Sequence, residues 1–294
     1  MPDPVVVGVD GSPSSLEAVA AAAREAGLRG AELRLVHAFG WPSTHLQPGG
    51  PPWDRAAAGL RELVDGTMTR AERLAHETVP HLETAREVVV GDPLAVLEFE
   101  SRAASLVVVG SRGRGAFGGL PLGSTAVHLA AHGRCPVMVV RGRPDPAGPV
   151  LPAVDGSPAG EAAVGFAFAE AALRGTGLVA VHAWNTWSER AYEGPGGPLN
   201  VVVNVERLRG EEQRLLDETL SPWQERHPRL TVERRLVRSR IRPALIEAGR
   251  GAHLLVVGAR GRGGFSGLLL GSVSQALLHH AHCPVVVLRG GTRP

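Results

Sequence analysis

Residues 110–125 read GSRGRGAFGGLPLGST, and six of these sixteen positions are glycine. The stretch follows the apolar run Leu106-Val107-Val108-Val109, which has the composition of a buried strand. Glycine accepts a positive φ and has no Cβ, so a chain leaving a strand here can turn sharply and present bare backbone N–H groups. The composition therefore predicts a loop that lies very close to a ligand or to another part of the chain.

The end of this stretch, Gly123-Ser124-Thr125, directly precedes the helical sequence AVHLAAHG, and Ser124 is the predicted N-cap of that helix. A helix N-terminus carries partial positive charge and free N–H donors, which suit a phosphate group. Arg112 and Arg114 would add positive charge at the mouth of the loop. A tight surface turn without a ligand is the alternative that a single copy leaves open.

The chain contains this pattern twice. Residues 258–273, GARGRGGFSGLLLGSV, keep the spacing Gly-x2-Gly-x9-Gly-Ser, and VDGSP occurs at 9–13 and again at 154–158. The offset between the repeats grows from 145 at the first aspartates to 148 at the glycine loops, which predicts a net insertion of three residues within the variable stretches 40–66 and 185–210. We predict two domains, 1–142 and 149–294, joined by a short linker rich in proline and glycine.

Within each repeat, short apolar runs alternate with longer segments of helical period. In the first repeat the pattern predicts strands near 4–9, 32–38, 86–90, 105–109 and 136–141, and helices near 14–28, 54–78, 93–103 and 123–132. Continuous Val and Leu runs separated by helices are typical of a parallel sheet covered on both faces. The sequence therefore predicts an α/β fold of two tandem doubly wound sheets, each with five parallel strands and a ligand site at their carboxyl ends.

The composition excludes several classes of chemistry. All 31 basic residues are arginine, so a P-loop, a protein kinase and Schiff-base catalysis, each of which needs a lysine, are excluded. A formal net charge of +2 does not indicate nucleic-acid binding. The sequence shows neither a long apolar stretch nor a signal peptide, so we expect a cytoplasmic protein without membrane contact. Cys135 and Cys283 occupy matching places before a proline and are expected to be small buried residues.

The glycine spacing, the VDGS motif after the first strand and the CPV entry to the last strand together resemble the universal stress protein family. The resemblance spans both repeats and is to the tandem two-domain form common in actinobacteria. It implies the Rossmann-like fold of that family and, as in its nucleotide-binding members, a motif that holds the ribose and phosphates of ATP, with a divalent ion such as Mg²⁺ on the phosphates. It also implies that the strands near 136–141 and 285–289 pair in an intramolecular pseudo-dimer, and it allows a further homodimer.

Carried onto this chain, the resemblance places Asp10 at the ribose and the phosphate–metal edge, Gly8 and Val9 along the adenine, and backbone groups of Ala38 beside it. The candidate nucleotide-binding residues of the first repeat are Gly8, Val9, Asp10, Ala38, Val109, Gly110, Arg112, Gly113, Gly123, Ser124 and Thr125. Those of the second repeat are Ala153, Val154, Asp155, Ala183, Val257, Gly258, Arg260, Gly261, Gly271, Ser272 and Val273. For the two aspartates an Asx turn or a helix cap is the structural alternative.

The repeats differ around the second site. Ser239 replaces Gly91 before the third helix, and three arginines, at positions 238, 240 and 242, crowd that edge. Pro152 enters the first strand of the second repeat, where its missing N–H weakens a central ladder. These differences weaken the expectation of a nucleotide in the second site.

Three other patterns favour structural roles. Residues 113–118 match GxGxxG by chance, because no helix follows directly, no acidic residue ends a strand about 20 residues on, and Ser266 breaks the copy. His128 and His132 beside Cys135 suggest a metal site, but the second repeat has Ala276 in place of His128, and His279, His280 and His282 cannot face one point. The tryptophans near the variable loops favour packing over capping a pocket or interface; they are Trp41, Trp53, Trp184, Trp187 and Trp223.

The function expected from the residues and the resemblance is ATP binding by a regulator of stress or dormancy that is non-catalytic or a very slow ATPase. Two alternatives remain open. The first is a protein-interaction module with vestigial pockets, which intact motifs in both repeats disfavour. The second is an enzyme acting on adenylated substrates, although VDGSPSS is a poor substitute for the SGGxDS-type loop of such enzymes.

Overall fold

A computed structural model of the chain describes residues 2–39, 55–113, 122–185, 205–263 and 269–290. Several residues singled out in the sequence lie outside these ranges, namely Arg114, Gly115, Phe117, Gly118, Ser266, Trp41, Trp53 and Trp187. The chain divides into two compact units, Met1–Arg141 and Gly142–Pro294.

Within its described residues, the first unit contains five parallel strands and four helices. The strands are β1 (Val5–Gly8), β2 (Leu33–Phe39), β3 (Thr84–Val90), β4 (Leu106–Gly110) and β5 (Val137–Val140), and the helices are α1 (Pro13–Arg29), α2 (Arg55–Thr78), α3 (Pro93–Glu100) and α4 (Ser124–His132). The strand order is β3-β2-β1-β4-β5. Because the order reverses between β1 and β4, these two strands flank the switch point where ligands bind in doubly wound sheets.

The second unit repeats this arrangement. Its strands are β6 (Val150–Pro152), β7 (Leu178–Trp184), β8 (Val232–Arg238), β9 (Leu254–Gly258) and β10 (Val285–Leu288), and its helices are α5 (Pro158–Arg174), α6 (Val205–Arg226), α7 (Ile241–Ala248) and α8 (Ser272–His280). The order β8-β7-β6-β9-β10 is that of the first unit. The predicted doubly wound sheet of five parallel strands is therefore confirmed in each unit.

The change of offset between the repeats lies where the sequence predicted it. β7 begins 145 residues after β2, whereas β8 begins 148 residues after β3. The net insertion of three residues therefore falls between the end of the second strand and the start of the third. The residues around both carboxyl edges can accordingly be compared position by position.

The core of each sheet consists of its central strands. Val5, Val6 and Val7 of β1 are fully buried, as are the first three residues of β4. A strand covered by helices on both faces needs apolar side chains at every position, which explains the continuous valine runs. Helix α1 buries mainly alanines on its inner face, which lets it lie close to the sheet. This close approach positions the start of α1 at the carboxyl ends of β1 and β4.

Pro152 shortens the central pairing of the second unit, as predicted. The backbone N–H groups of Val150 and Val154 donate to the β7 side of the strand, whereas that of Ala153 donates to Val256 of β9. The alternation assigns the missing N–H of Pro152 to the β7 side. Pairing of β6 with β7 is limited to Val150↔Leu178 and one isolated bridge, compared with four paired positions between β1 and β2.

The described side chains also test two smaller predictions. Cys135 and Cys283 are both buried and neither forms a disulfide bond, as expected, and burial raises the pKa of the Cys135 thiol to about 12. Trp184 is buried at the end of β7, and the ring of Trp223 packs against Gly165 of α5, so these two tryptophans serve packing. None of the helices in the described ranges is long and apolar enough to cross a membrane.

Candidate functional site

The turn that follows β1 is built around one carboxylate oxygen. Oδ1 of Asp10 accepts a hydrogen bond from the Ser12 N–H at 2.9 Å, and Gly11 between them has a φ of +79°. The hydroxyl of Ser12 then accepts from the Ser15 N–H at 3.2 Å and caps α1. This is an Asx turn leading into an N-cap, so the structural role considered for Asp10 is present.

The second carboxylate oxygen of Asp10 lies over the glycine loop. A Cβ added to Gly113 would stand 2.8 Å from Oδ2 of Asp10. The second unit has the same arrangement, because Oδ1 of Asp155 accepts from the Ser157 N–H at 3.0 Å and a Cβ on Gly261 would stand 2.6 Å from Oδ2. The turn therefore fixes a carboxylate against bare loop backbone at both switch points.

The glycine that ends β4 is explained by the nearby helix. A Cβ on Gly110 would stand 2.6 Å from the backbone oxygen of Ser14 in the first turn of α1, and one on Gly258 would stand 2.7 Å from the carbonyl carbon of Ala159. Backbone atoms cannot move aside as a flexible side chain can, so these two positions require glycine for packing alone. The Arg112 N–H donates to Oγ of Ser14 at 3.3 Å and ties the loop to the same helical turn.

The N-terminus of α4 differs from the prediction by one residue. Gly123 is the N-cap, with an extended φ of −79° and ψ of 152°, and Ser124 is the first helical residue, so the predicted N-cap at Ser124 is wrong. The reason is that the Gly123 carbonyl already accepts the first intrahelical hydrogen bond, from the Val127 N–H at 3.4 Å, while the Gly123 N–H donates to the Ser111 carbonyl at 2.8 Å. Gly271 and Ser272 repeat this arrangement at the start of α8.

A glycine N-cap leaves the first turn of each of these helices without a side-chain acceptor. Helices α1 and α5 are by contrast capped by Ser12 and Ser157. The first N–H groups of α4 and α8 therefore keep their capacity to bind an anion from outside the chain. Ser124 and Ser272 are exposed there, and Thr125 and Val273 are half-buried.

The remaining candidates of the first unit form the floor beside Asp10. Val9 and Val109 are buried, and Gly8 and Ala38 are half-buried at the ends of β1 and β2. Their counterparts in the second unit, Ala153, Val154, Ala183 and Val257, are all buried. The structure thus brings the candidates of each unit together along one carboxyl edge, with Arg112 and Arg260 exposed at its rim.

Sequence reasoning missed one supporting residue in each unit. Nδ1 of the buried His37 donates to the Val9 carbonyl at 2.7 Å, and Nδ1 of His182 donates to the Val154 carbonyl at the same distance. Each histidine therefore holds the end of the first strand next to the aspartate. The signal that could have found them is the dipeptide Val-His before Ala in both repeats.

The second unit is more closed beside its Asx turn. Gly156 lies against the guanidinium of Arg262, and a Cβ on Gly156 would also stand 2.9 Å from Cδ1 of Leu215. In the first unit Thr67 occupies the position of Leu215, and a cavity of about 490 Å³ beside Gly11 lies between α1 and α2. The two sites thus share their backbone geometry but differ in the side chains around it.

The histidines considered as metal ligands lie elsewhere. Nε2 of His128 is 2.9 Å from Oε2 of Glu98, the His128 and His132 rings stack at 4.3 Å, and Cys135 is buried. The contact with His128 holds the pKa of Glu98 below its ordinary value. Across the described ranges, no group of three or more His, Cys, Asp or Glu side chains is arranged to hold a metal ion.

Comparison with known proteins identifies the fold and its motifs. The model of the universal stress protein family matches residues 1–141 and again residues 147–289. The chain belongs to this family. The resemblance noted in the sequence is therefore confirmed, and both units of the chain are universal stress protein domains.

Similar universal stress proteins occur in mycobacteria. Universal stress protein Rv2005c of Mycobacterium tuberculosis (strain ATCC 25618 / H37Rv) is 38% identical over 298 residues, covering 97% of this chain and 96% of that protein. Universal stress protein Rv1996 of the same strain is 36% identical over 310 residues, covering 97% and 94%. The crystal structure of a universal stress protein from Archaeoglobus fulgidus DSM 4304 has the same fold, with a TM-score of 0.70, 17% identity and coverage of 98% and 99%.

Proposed function

We propose that this universal stress protein binds an adenine nucleotide, ATP with Mg²⁺, at the carboxyl edge of its units and acts as a non-catalytic regulator in stress or dormancy responses. One observation carries the proposal. In both units, a helix N-terminus without a side-chain cap lies beside a glycine loop over which an Asx turn fixes a carboxylate. Such a site offers N–H donors to phosphates and a carboxylate to a metal ion or ribose.

The loop and helix of the first unit fit the phosphates. Gly113 and Gly123 place no side chain between the loop and the first turn of α4, and the nearest atoms to a Cβ on Gly123 are 3.6 Å away. Phosphate oxygens in this space would accept from the N–H groups of Ser124 and Thr125. The exposed guanidinium of Arg112 would add a positive charge at the rim.

The oxygen ligands available at the site also fit Mg²⁺. This ion prefers oxygen ligands and is commonly held by one or two carboxylates together with substrate phosphates. Oδ2 of Asp10 would meet the metal or the ribose hydroxyls, because Oδ1 is already committed to the Ser12 N–H. When bound, the ion would neutralise part of the phosphate charge. The buried His37 supports the part of the site proposed for adenine, since it fixes the carbonyl of Val9 next to the floor formed by Gly8 and Ala38.

The groups gathered at the edge suit binding. The carboxylate is oriented by a backbone hydrogen bond, the helix supplies N–H donors, and arginine supplies charge. This combination favours retention of the nucleotide, and we therefore propose a regulatory role in the cytoplasm.

The intramolecular pseudo-dimer and the homodimer stay predictions, and light scattering on the purified chain tests the homodimer.

The first test asks what the protein carries. We expect mass spectrometry of the denatured, purified protein to detect released adenine nucleotide, and calorimetry of the stripped protein to show ATP binding that strengthens with Mg²⁺. Release of AMP and pyrophosphate during incubation with ATP would instead indicate an enzyme acting on adenylated substrates. Absence of both released nucleotide and binding heat would overturn the proposal in favour of an interaction module.

A matched pair of variants locates the binding. Because a Cβ at Gly123 has room within the protein, Gly123→Val should fold normally and lose ATP binding at the first site only, by filling the space proposed for phosphate. Gly177→Val, just before β7 at the end of the sheet opposite the site, is the control, because the nearest atom to a Cβ there is 3.7 Å away, and it should bind as the wild type does. If both variants bind ATP equally well, the phosphate does not bind at the start of α4.

A further inference from the structure

The loops that follow β3 and β8 have the same backbone. The Gly91 N–H donates to the Phe39 carbonyl at 3.0 Å, and the Ser239 N–H donates to the Trp184 carbonyl at 2.9 Å. The next residue is the helix N-cap in both units, with φ and ψ of −68° and 122° at Asp92 and of −60° and 127° at Arg240. The two loops can therefore be compared side chain by side chain.

Their charges are opposite. The first unit has Val90, Asp92 and Leu94 where the second has three arginines, at positions 238, 240 and 242. All three arginines are exposed, and none has a carboxylate partner among the residues that the structure describes. We refer to these three residues as the arginine cluster.

The arginine cluster lies where positive charge is unfavourable. Arg240 occupies the N-cap position of α7 without a side-chain capping bond. Arg242 lies in the first turn of that helix, which holds no acidic residue. The N-terminus of a helix already carries partial positive charge, and like charges on neighbouring residues repel one another. Among the residues that the structure describes, no acidic side chain compensates this charge, so the cluster is suited to an anion that binds from outside.

The position of the cluster indicates which end of a ligand it would meet. Arg238 is paired with Trp184 in the β7–β8 ladder, and its guanidinium lies 5.8 Å from the centre of the Trp184 ring. The glycine loop after β9 lies on the other side of β6. A nucleotide whose 5′ phosphates occupy that loop would therefore direct its base and ribose, not its 5′ phosphates, toward the cluster.

We propose that the second unit selects a nucleotide bearing a phosphate on a ribose hydroxyl as well as at the 5′ position, whereas the first unit selects free ribose hydroxyls. In doubly wound folds an acidic residue near the ribose suits the free hydroxyl, and an arginine there accommodates a phosphate. The exchange of Asp92 for Arg240 has this character. The inference rests on the proposed nucleotide function and adds the ligand class of the second site.

Calorimetry on the stripped, full-length protein tests this with three probes: AMP, adenosine 2′,5′-bisphosphate and adenosine 3′,5′-bisphosphate. Asp10→Ala weakens the first site, so that the second dominates the titration, and Asp155→Ala does the reverse. In Asp10→Ala we expect one bisphosphate to bind at least about tenfold more tightly than AMP, the gain from one added charge-assisted hydrogen bond. In Asp155→Ala we expect no such preference. The preferred bisphosphate identifies the ribose position.

A charge exchange within the cluster provides the decisive comparison. Arg240→Asp, which installs the residue of the first unit, should abolish the bisphosphate preference of the Asp10→Ala protein while AMP still binds. Arg229→Asp makes the same charge change in the exposed turn before β8, at the opposite end of that strand, and should keep the preference.

The outcomes separate this inference from the proposed function. Equal affinity for AMP and both bisphosphates, or a preference that survives Arg240→Asp, would overturn the inference and leave the nucleotide function standing. Failure of the wild-type protein to bind AMP, ATP or either bisphosphate would overturn the proposed function itself.

Discussion

A single methyl group at Gly113 tests whether the Asp10 carboxylate contacts the ligand. An added Cβ would stand 2.8 Å from Oδ2, whereas ordinary contacts begin near 3.4 Å, so the carboxylate would have to retreat by about 0.6 Å or rotate. Its Oδ1 is meanwhile held by the Ser12 N–H at 2.9 Å. Gly113→Ala therefore displaces the one oxygen that faces the loop, and it does so without changing the charge of the site.

The expected loss of ATP affinity follows from the hydrogen bond that Oδ2 of Asp10 would no longer make. A hydrogen bond to a charged group contributes about 1.5–3 kcal/mol, and about 1.4 kcal/mol corresponds to tenfold in affinity. We expect Gly113→Ala to weaken ATP binding at the first site by about 10- to 150-fold. Gly113 lies in a half-buried loop, so the free energy of unfolding should change by only about 0.5 kcal/mol.

The assay is calorimetry with ATP and Mg²⁺ in a Gly271→Val background, which fills the space proposed for phosphate at the start of α8, so that the first site reports. Gly113→Ala, Asp10→Ala and the double variant form a cycle. If the methyl acts through the carboxylate, it should cost almost nothing once Asp10 is alanine. Unchanged affinity in Gly113→Ala, or two losses that simply add in the double variant, would refute this reasoning.

Three further predictions concern stability and reactivity. Ser12→Ala removes the cap of α1 and should lower the free energy of unfolding by about 1 kcal/mol in chemical denaturation, whereas an unchanged midpoint would show that the cap is dispensable. The contact with His128 lowers the pKa of Glu98 below its ordinary value of 4.5, so the ionised carboxylate stabilises the fold above pH 4.5 and this stabilisation is lost as pH falls through the folded-state pKa. Glu98→Gln should therefore lower the melting temperature at about pH 6, by an amount that shrinks as the pH falls below 4.5. Because burial raises the pKa of Cys135 to about 12, a thiol reagent at about pH 8 should label it only after unfolding, and rapid labelling of the native protein would contradict its burial.

The strands of the first unit were predictable because parallel strands covered on both faces must be apolar at every position. The runs near 4–9, 32–38 and 105–109 correspond to β1, β2 and β4 with ends that differ by at most one residue. The fold of the second unit was predictable from the repeat, since every sequence landmark recurs at an offset of 145 or 148 residues. Periodicity and repetition are local properties of the chain, and they sufficed for the fold.

The contacts of the site were harder to predict from the sequence, because they join residues that are distant along the chain. Ser124 has the residue type of an N-cap, but Gly123 takes that place, with its N–H bonded to the carbonyl of Ser111 in the loop after β4. In isolation Gly110 suggests ligand binding, yet a Cβ there would collide with the hydroxyl and the backbone of Ser14. His37 carries no motif signal in a single copy, and its bond to Val9 becomes visible only in the folded chain.

The two units also show which parts of the site can change independently. Contacts set by the backbone are the same in both: the Asx turn, the glycine against the first turn of the helix, and the glycine N-cap. Side chains outside those contacts differ, as Asp92 and Arg240 do on superimposable N-cap conformations. A charge change at an exposed rim position costs the fold little, whereas a Cβ at a backbone contact disrupts it. Divergence between the units should therefore appear as a difference in ligand preference, while both keep the backbone geometry proposed to receive a phosphate.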